Sequence, residues 1–150
     1  MQAQMLAPAA VLVLWSLIML YWMAFTRLPA IKKVGSGLGE AKPGGRGQDL
    51  EGVIPDKVNW KAHNYAHLME QPTIFYAAVV ILSIMGAGAI DVLLAWAYVA
   101  IRIVHSLYQA TVNIVKLRFL LFLVSTLALT VLAVRAVMAT VLFDPSLAPA

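Results

Sequence analysis

Four long apolar stretches, parted by polar or glycine-bearing connections, set the pattern of this chain. Residues 5–27 run uncharged up to Arg27. About 20 apolar residues are enough to cross a bilayer's hydrocarbon core as a helix. Lys and Arg are absent before Arg27, whereas a secretory signal wants a basic head and a shorter apolar core. A first membrane helix is therefore expected, with Pro29 ending it or following its end. A second helix is expected over 58–85. Its first turns are polar, its remainder (FYAAVVILSIM) is apolar, and Pro72 lies inside it as a kink rather than a break. Gly86-Ala87-Gly88 reads as a tight turn. Asp91 then opens a third helix over 91–113, where an acidic side chain suits the helix dipole. The fourth helix is expected over 117–143, interrupted only by Arg135, which is expected to snorkel toward the interface or to pair with Asp144.

Residues 30–57 form the long polar connection, rich in glycine. VGSGLGE and KPGGRGQ have the glycine content of a phosphate loop. No strand leads into them and no Lys-Ser or Lys-Thr closes them, so that reading fails on context. A flexible connection at the membrane surface is the expectation, with a segment folded over a site as the alternative.

Composition sharpens the class. The chain has 150 residues, 62% hydrophobic and 12% charged, where soluble domains carry about a quarter charged residues. It is expected to be an all-α integral membrane four-helix bundle forming a single domain over 1–150. With no Cys, disulfides, thiolate metal sites and a cysteine nucleophile are excluded. The net charge of +4 comes from basic residues gathered at one end. That speaks to topology and anionic lipid, and nucleic acid is not expected as a partner. Arg27, Lys32, Lys33, Lys42, Arg46, Lys57, Lys61, Lys116 and Arg118 all fall on the side of the 30–57 connection. That side is expected to be cytoplasmic, with both termini opposite.

Two polar faces interrupt the apolar pattern. His63, His67 and Glu70 stand at i, i+4 and i+7 and share a helical face. Arg102, His105, Gln109, Asn113 and Lys116 form a stripe along the third helix that a lipid-facing surface would not tolerate. The histidines admit three readings: structural hydrogen bonds, ligand contact, or a weak metal face at His63 and His67 with help from His105. Glu70 is expected either to pair with Arg102 or to bind ligand. Arg102, Arg118, Lys116 and Arg27 at one depth make an electropositive site. It suits a multiply anionic ligand and favours a bound thiolate over a thiol. An apolar groove between helices would admit a lipid-like second substrate from the bilayer.

Glu70-Gln71-Pro72, the Arg102-Ile-Val-His105 segment, and Arg118 sixteen residues beyond Arg102 resemble the MAPEG family, the membrane-associated proteins of eicosanoid and glutathione metabolism. The likeness spans about residues 5–143 and is closest to bacterial members and to microsomal glutathione transferases. It implies a left-handed bundle, a homotrimer in a bacterial inner membrane, and glutathione as cosubstrate, bound between subunits near the cytoplasmic face. By the resemblance, Arg118 is the catalytic residue that stabilises the glutathione thiolate. Glu70, Arg102 and Arg27 bind the tripeptide, and His63, His67 and His105 line the same pocket. His63 and His67 replace an arginine and an asparagine of the enzymes, and Gln109 replaces a tyrosine, with Tyr108 beside it. The expected activity is transferase or peroxidase chemistry on apolar or lipid-like electrophiles, with no metal. The alternative is a non-catalytic lipid-binding or partner-binding membrane protein of the same family.

Overall fold

Once backbone polar groups are satisfied within helices, an apolar chain in lipid has only side-chain packing left to organise it. The computed structural model describes residues 1–35 and 42–143 and consists of four helices. These are α1 (Gln2–Lys33), α2 (Asp56–Met85), α3 (Ala89–Thr111) and α4 (Val115–Val141). All four are long and apolar enough to cross a membrane. α2 and α3 form the middle of the bundle. α1 packs on both from one side and α4 packs on both from the other, and α1 and α4 share no substantial contact.

Each helix buries a stripe. In α1 it is Met5, Pro8, Leu12, Ser16 and Met19, steps of three or four that keep one face turned inward. In α4 it is Ser125, Leu129, Leu132 and Ala136. Between α2 and α3 the Phe75 and Tyr98 rings stack with centroids 4.4 Å apart. Interhelical hydrogen bonds join the stripes. Trp15 Nε1 donates to Ser106 Oγ at 3.0 Å. Tyr98 donates its hydroxyl to Gln71 Oε1 at 3.3 Å, and Gln71 Nε2 donates to Thr126 Oγ1 at 2.8 Å, so one glutamine ties α2 to both neighbours. Such bonds between membrane helices contribute modestly each, about 0.6 kcal/mol on average.

Four expectations change. Pro29 does not end the first helix, which continues to Lys33. Proline frees the carbonyl four residues back, and near the end of a membrane helix water can take that bond. α3 stops at Thr111 rather than 113. The N–H groups of Val112 and Asn113 both return to the Tyr108 carbonyl, and Asn113 takes φ 58°. Asparagine tolerates that left-handed conformation better than most side chains. The polar stripe of α3 therefore ends at Gln109, and Asn113 belongs to the turn.

Arg135 pairs with Asp91 across α3 and α4. The ion pair joins Arg135 Nε to Asp91 Oδ1, and Nη2 donates to Oδ2 at 3.0 Å. Asp91 also accepts the Gly88 N–H at 2.8 Å. Asp144 lies outside the described residues. Fourth, residues 42–55 fold back on the bundle rather than forming a loose connection. Gly47–Leu50 is a turn of 3-10 helix, Ile54 is buried, and Asn59 Nδ2 donates to the Leu50 carbonyl at 3.2 Å. The rest of the glycine-rich run, 36–41, lies outside the described residues.

Candidate functional site

Polar side chains on α2 and α3 meet near the basic end, where Arg102 and His105 are kept from water and His67 is partly exposed. Arg102 has no exposed surface at all. Its Nη2 donates to His67 Nδ1 at 3.0 Å and to the His67 carbonyl at 3.1 Å. A guanidinium has only donors, so His67 Nδ1 must accept, and the ring hydrogen resides on Nε2. That Nε2 lies 4.0 Å from Glu70 Oε2. The His67 ring stacks on His105 at 5.1 Å, and both rings pack against Phe122 of α4. Arg102 itself lies over the Phe122 ring at 6.0 Å. The buried Nε and Nη1 of Arg102 have no partner among the described residues.

Of the two readings for Glu70, the ion pair with Arg102 does not form. Glu70 is 68% exposed and stands at the rim of the cluster. Three residues along a helix amount to a rotation that falls about 60° short of a full turn. That offset carries Glu70 off the face on which His67 meets α3.

His63 also leaves the expected shared face. It bonds Glu51 of the folded-back segment, Nε2 to Oε1 at 2.9 Å. With Arg27 it lines a cleft of about 460 Å³ together with Met23, Arg46, Gly47, Gln48, Glu51 and Tyr65. The Arg27 guanidinium donates to the Gly47 carbonyl. A Cβ on Gly47 would sit 2.9 Å from Arg27 Nη1, so glycine is what lets the guanidinium lie against the backbone.

Arg118 occupies a third place. It is half-buried in the first turn of α4, and its Nη1 donates to Asn113 Oδ1 at 2.6 Å. The left-handed turn at Asn113 holds that side chain against the start of the next helix. The site residues thus fall into three groups at one end of the bundle. Arg27 and His63 line the α1–α2 cleft, and Arg102 and His105 are sealed between α2, α3 and α4, with His67 partly exposed beside them and Glu70 at the rim. Arg118 stands on the α4 side. Lys116 begins α4 beside it, exposed. Among the described residues no three His, Asp or Glu side chains gather as a metal site would require.

Sequence reasoning missed Glu51, Arg46 and Phe122. Glu51 and Arg46 lie in a segment with no periodicity, where Arg46 spoke only to topology, and Phe122 is one apolar residue among many, so none carried a signal for the site.

Fold and charge distribution together define a polytopic membrane bundle with a cationic, histidine-bearing end. The chain belongs to the MAPEG family, whose model matches residues 5–138. The family includes glutathione transferases and peroxidases. No curated protein and no solved structure matches the chain.

Proposed function

We propose that the protein is a membrane-embedded glutathione-dependent transferase or peroxidase acting on apolar or lipid-like electrophiles, and that it works as a homotrimer. The observation that carries this reading is the fixing of Arg118 by Asn113 at the head of α4. Its other guanidinium nitrogens make no hydrogen bond among the described residues, so they remain as donors for a ligand. A fixed cation near the membrane boundary stabilises a thiolate relative to a thiol. A glutathione thiolate then attacks the electrophile and expels its leaving group, or takes the terminal oxygen of a hydroperoxide as a sulfenic acid. In the second case the departing alkoxide picks up a proton as the alcohol, and a second glutathione converts the sulfenic acid to the disulfide and water. The protein supplies no nucleophile of its own, in keeping with a chain that has no Cys.

The division of the charged groups supports a head-to-tail assembly, which we read as the trimer. α1 and α4 lie on opposite sides of the α2–α3 pair. The Arg27–His63 cleft and Arg118 therefore serve one ligand only if the cleft of one chain faces α4 of the next. Head-to-tail contacts of that kind form a ring when the rotation between neighbours closes. Glu70, exposed at the rim, offers an acceptor to the peptide. The end bearing Lys32, Lys33, Lys42, Arg46, Lys57 and Lys61 is assigned to the cytoplasm by the positive-inside rule.

Turnover of glutathione with a chloronitroaromatic and with a lipid hydroperoxide tests the reading. Wild type is expected to turn over at least one of them. Arg118→Ala is expected to lose about a hundredfold in rate, as when a fixed charge-stabilising donor is removed. Full rate in that variant would contradict the role of Arg118. One observation favours a second reading, a lipid-binding or partner-binding protein without chemistry: Arg102 is sealed and committed to His67. Lipid retained by the purified protein, with no affinity for thiols, would select it.

A further inference from the structure

The α1–α2 cleft is not uniformly cationic. Arg27 and Arg46 line it, and so does the carboxylate of Glu51. Arg27 engages the Gly47 carbonyl through Nη2, which fixes it against the backbone. The Arg46 guanidinium makes no hydrogen bond or ion pair among the described residues; only its backbone N–H is engaged, by Asp49 Oδ2 at 2.8 Å. Glu51 is held through one oxygen, Oε1, by His63. Its other oxygen has no partner among the described residues, and the side chain is 57% exposed. A free guanidinium and an oriented carboxylate in one cleft do not match a simple dianion, which Glu51 would repel. They match a group carrying a carboxylate and an ammonium together.

We infer that Glu51, oriented by His63, makes this cleft selective for the amino-acid zwitterion of its ligand, with Glu51 accepting from the ammonium and Arg46 gripping the carboxylate. The inference rests on the glutathione reading and deepens it, because the γ-glutamyl end of glutathione carries such a zwitterion and the glycyl end does not. Glu51 then acts as a specificity-determining residue. His63 is a positioning residue that touches Glu51 rather than the thiol. An incoming ligand keeps the Glu51–His63 bond and adds the ammonium at the second oxygen. Charge-assisted hydrogen bonds of this kind discriminate between ligands by about tenfold or more.

The test compares glutathione with its des-amino analogue, glutaryl-cysteinyl-glycine, by calorimetric titration of the detergent-solubilised full chain. Wild type is expected to prefer glutathione by about tenfold. Glu51→Gln keeps the size of the side chain and a hydrogen bond to His63 but removes the charge. It is expected to bind glutathione more weakly, to bind the analogue as well as or better than wild type, and so to lose the preference. Arg46→Ala is expected to weaken both ligands alike. A wild type that binds both ligands equally, or a Glu51→Gln variant that keeps the preference, would overturn the assignment of Glu51 while leaving the glutathione reading standing. No binding of either ligand to intact wild-type oligomers would remove both. Glu51→Gln keeps the side chain's size, so size-exclusion behaviour is expected to be unchanged in that variant.

Discussion

Arg102 and His67 are joined by two hydrogen bonds from one guanidinium nitrogen, one to the ring and one to the backbone of the same residue. The ring that accepts is also the ring that stacks on His105 and points its remaining N–H toward Glu70. One buried cation therefore fixes the rotamer and the tautomer of a histidine whose far edge reaches the rim of the site.

Removing that acceptor leaves a buried cation with one partner fewer. His67→Ala is expected to destabilise the folded protein by about 2–3 kcal/mol, the cost of stranding a buried charged donor. His67→Asn restores a side-chain acceptor and is expected to recover part of the loss. Thermal unfolding in a single detergent, compared across the three proteins, checks both. Equal stability of His67→Ala and wild type would show that the pair does not hold the bundle.

Asp91 and Arg135 join α3 to α4 at the end away from the site. Asp91→Asn is expected to destabilise the bundle by about 1–3 kcal/mol while leaving glutathione turnover unchanged. In a double-mutant cycle with Arg135→Gln, the second substitution is expected to add little to the first. Additive losses would mean that the two side chains act separately.

Gly47→Ala would place a methyl group 2.9 Å from Arg27 Nη1. The guanidinium is expected to leave the Gly47 carbonyl and alter the cleft. The predicted signature is a several-fold weaker glutathione affinity with a nearly unchanged maximal rate, because Arg27 lies in the cleft and not at the thiol. A fall in maximal rate with affinity intact would place Arg27 at the chemistry instead.

Asn113 can be separated from its turn. Asn113→Gly preserves the left-handed backbone and removes Oδ1. Helix content is expected to stay, while the rate falls several-fold because Arg118 loses its tether. A wild-type rate in this variant would mean that Arg118 needs no orienting partner.

Much of this architecture was legible in the chain. The four apolar stretches are membrane helices because length and composition alone decide that outcome. The gathering of cations at one end follows from the same count. Partners were less legible. The sequence offered Arg135 the nearby Asp144, and it is the packing of α3 on α4 that brings Asp91 to it. His63, His67 and Glu70 share a face by spacing, yet each meets a different neighbour, because the folded-back segment, α3 and the rim lie at successive turns of α2. Glu51 had no pattern to mark it, since its position depends on how residues 42–55 return to the bundle.

The central claim is that this protein binds glutathione and holds it as a thiolate beside Arg118. Calorimetric titration of detergent-solubilised oligomers with glutathione, repeated in buffers of different ionisation enthalpy, tests it most directly. The account predicts saturable binding with release of about one proton per ligand at neutral pH, and a blunted release in Arg118→Ala. Binding without proton release, or no binding to intact oligomers, would contradict it.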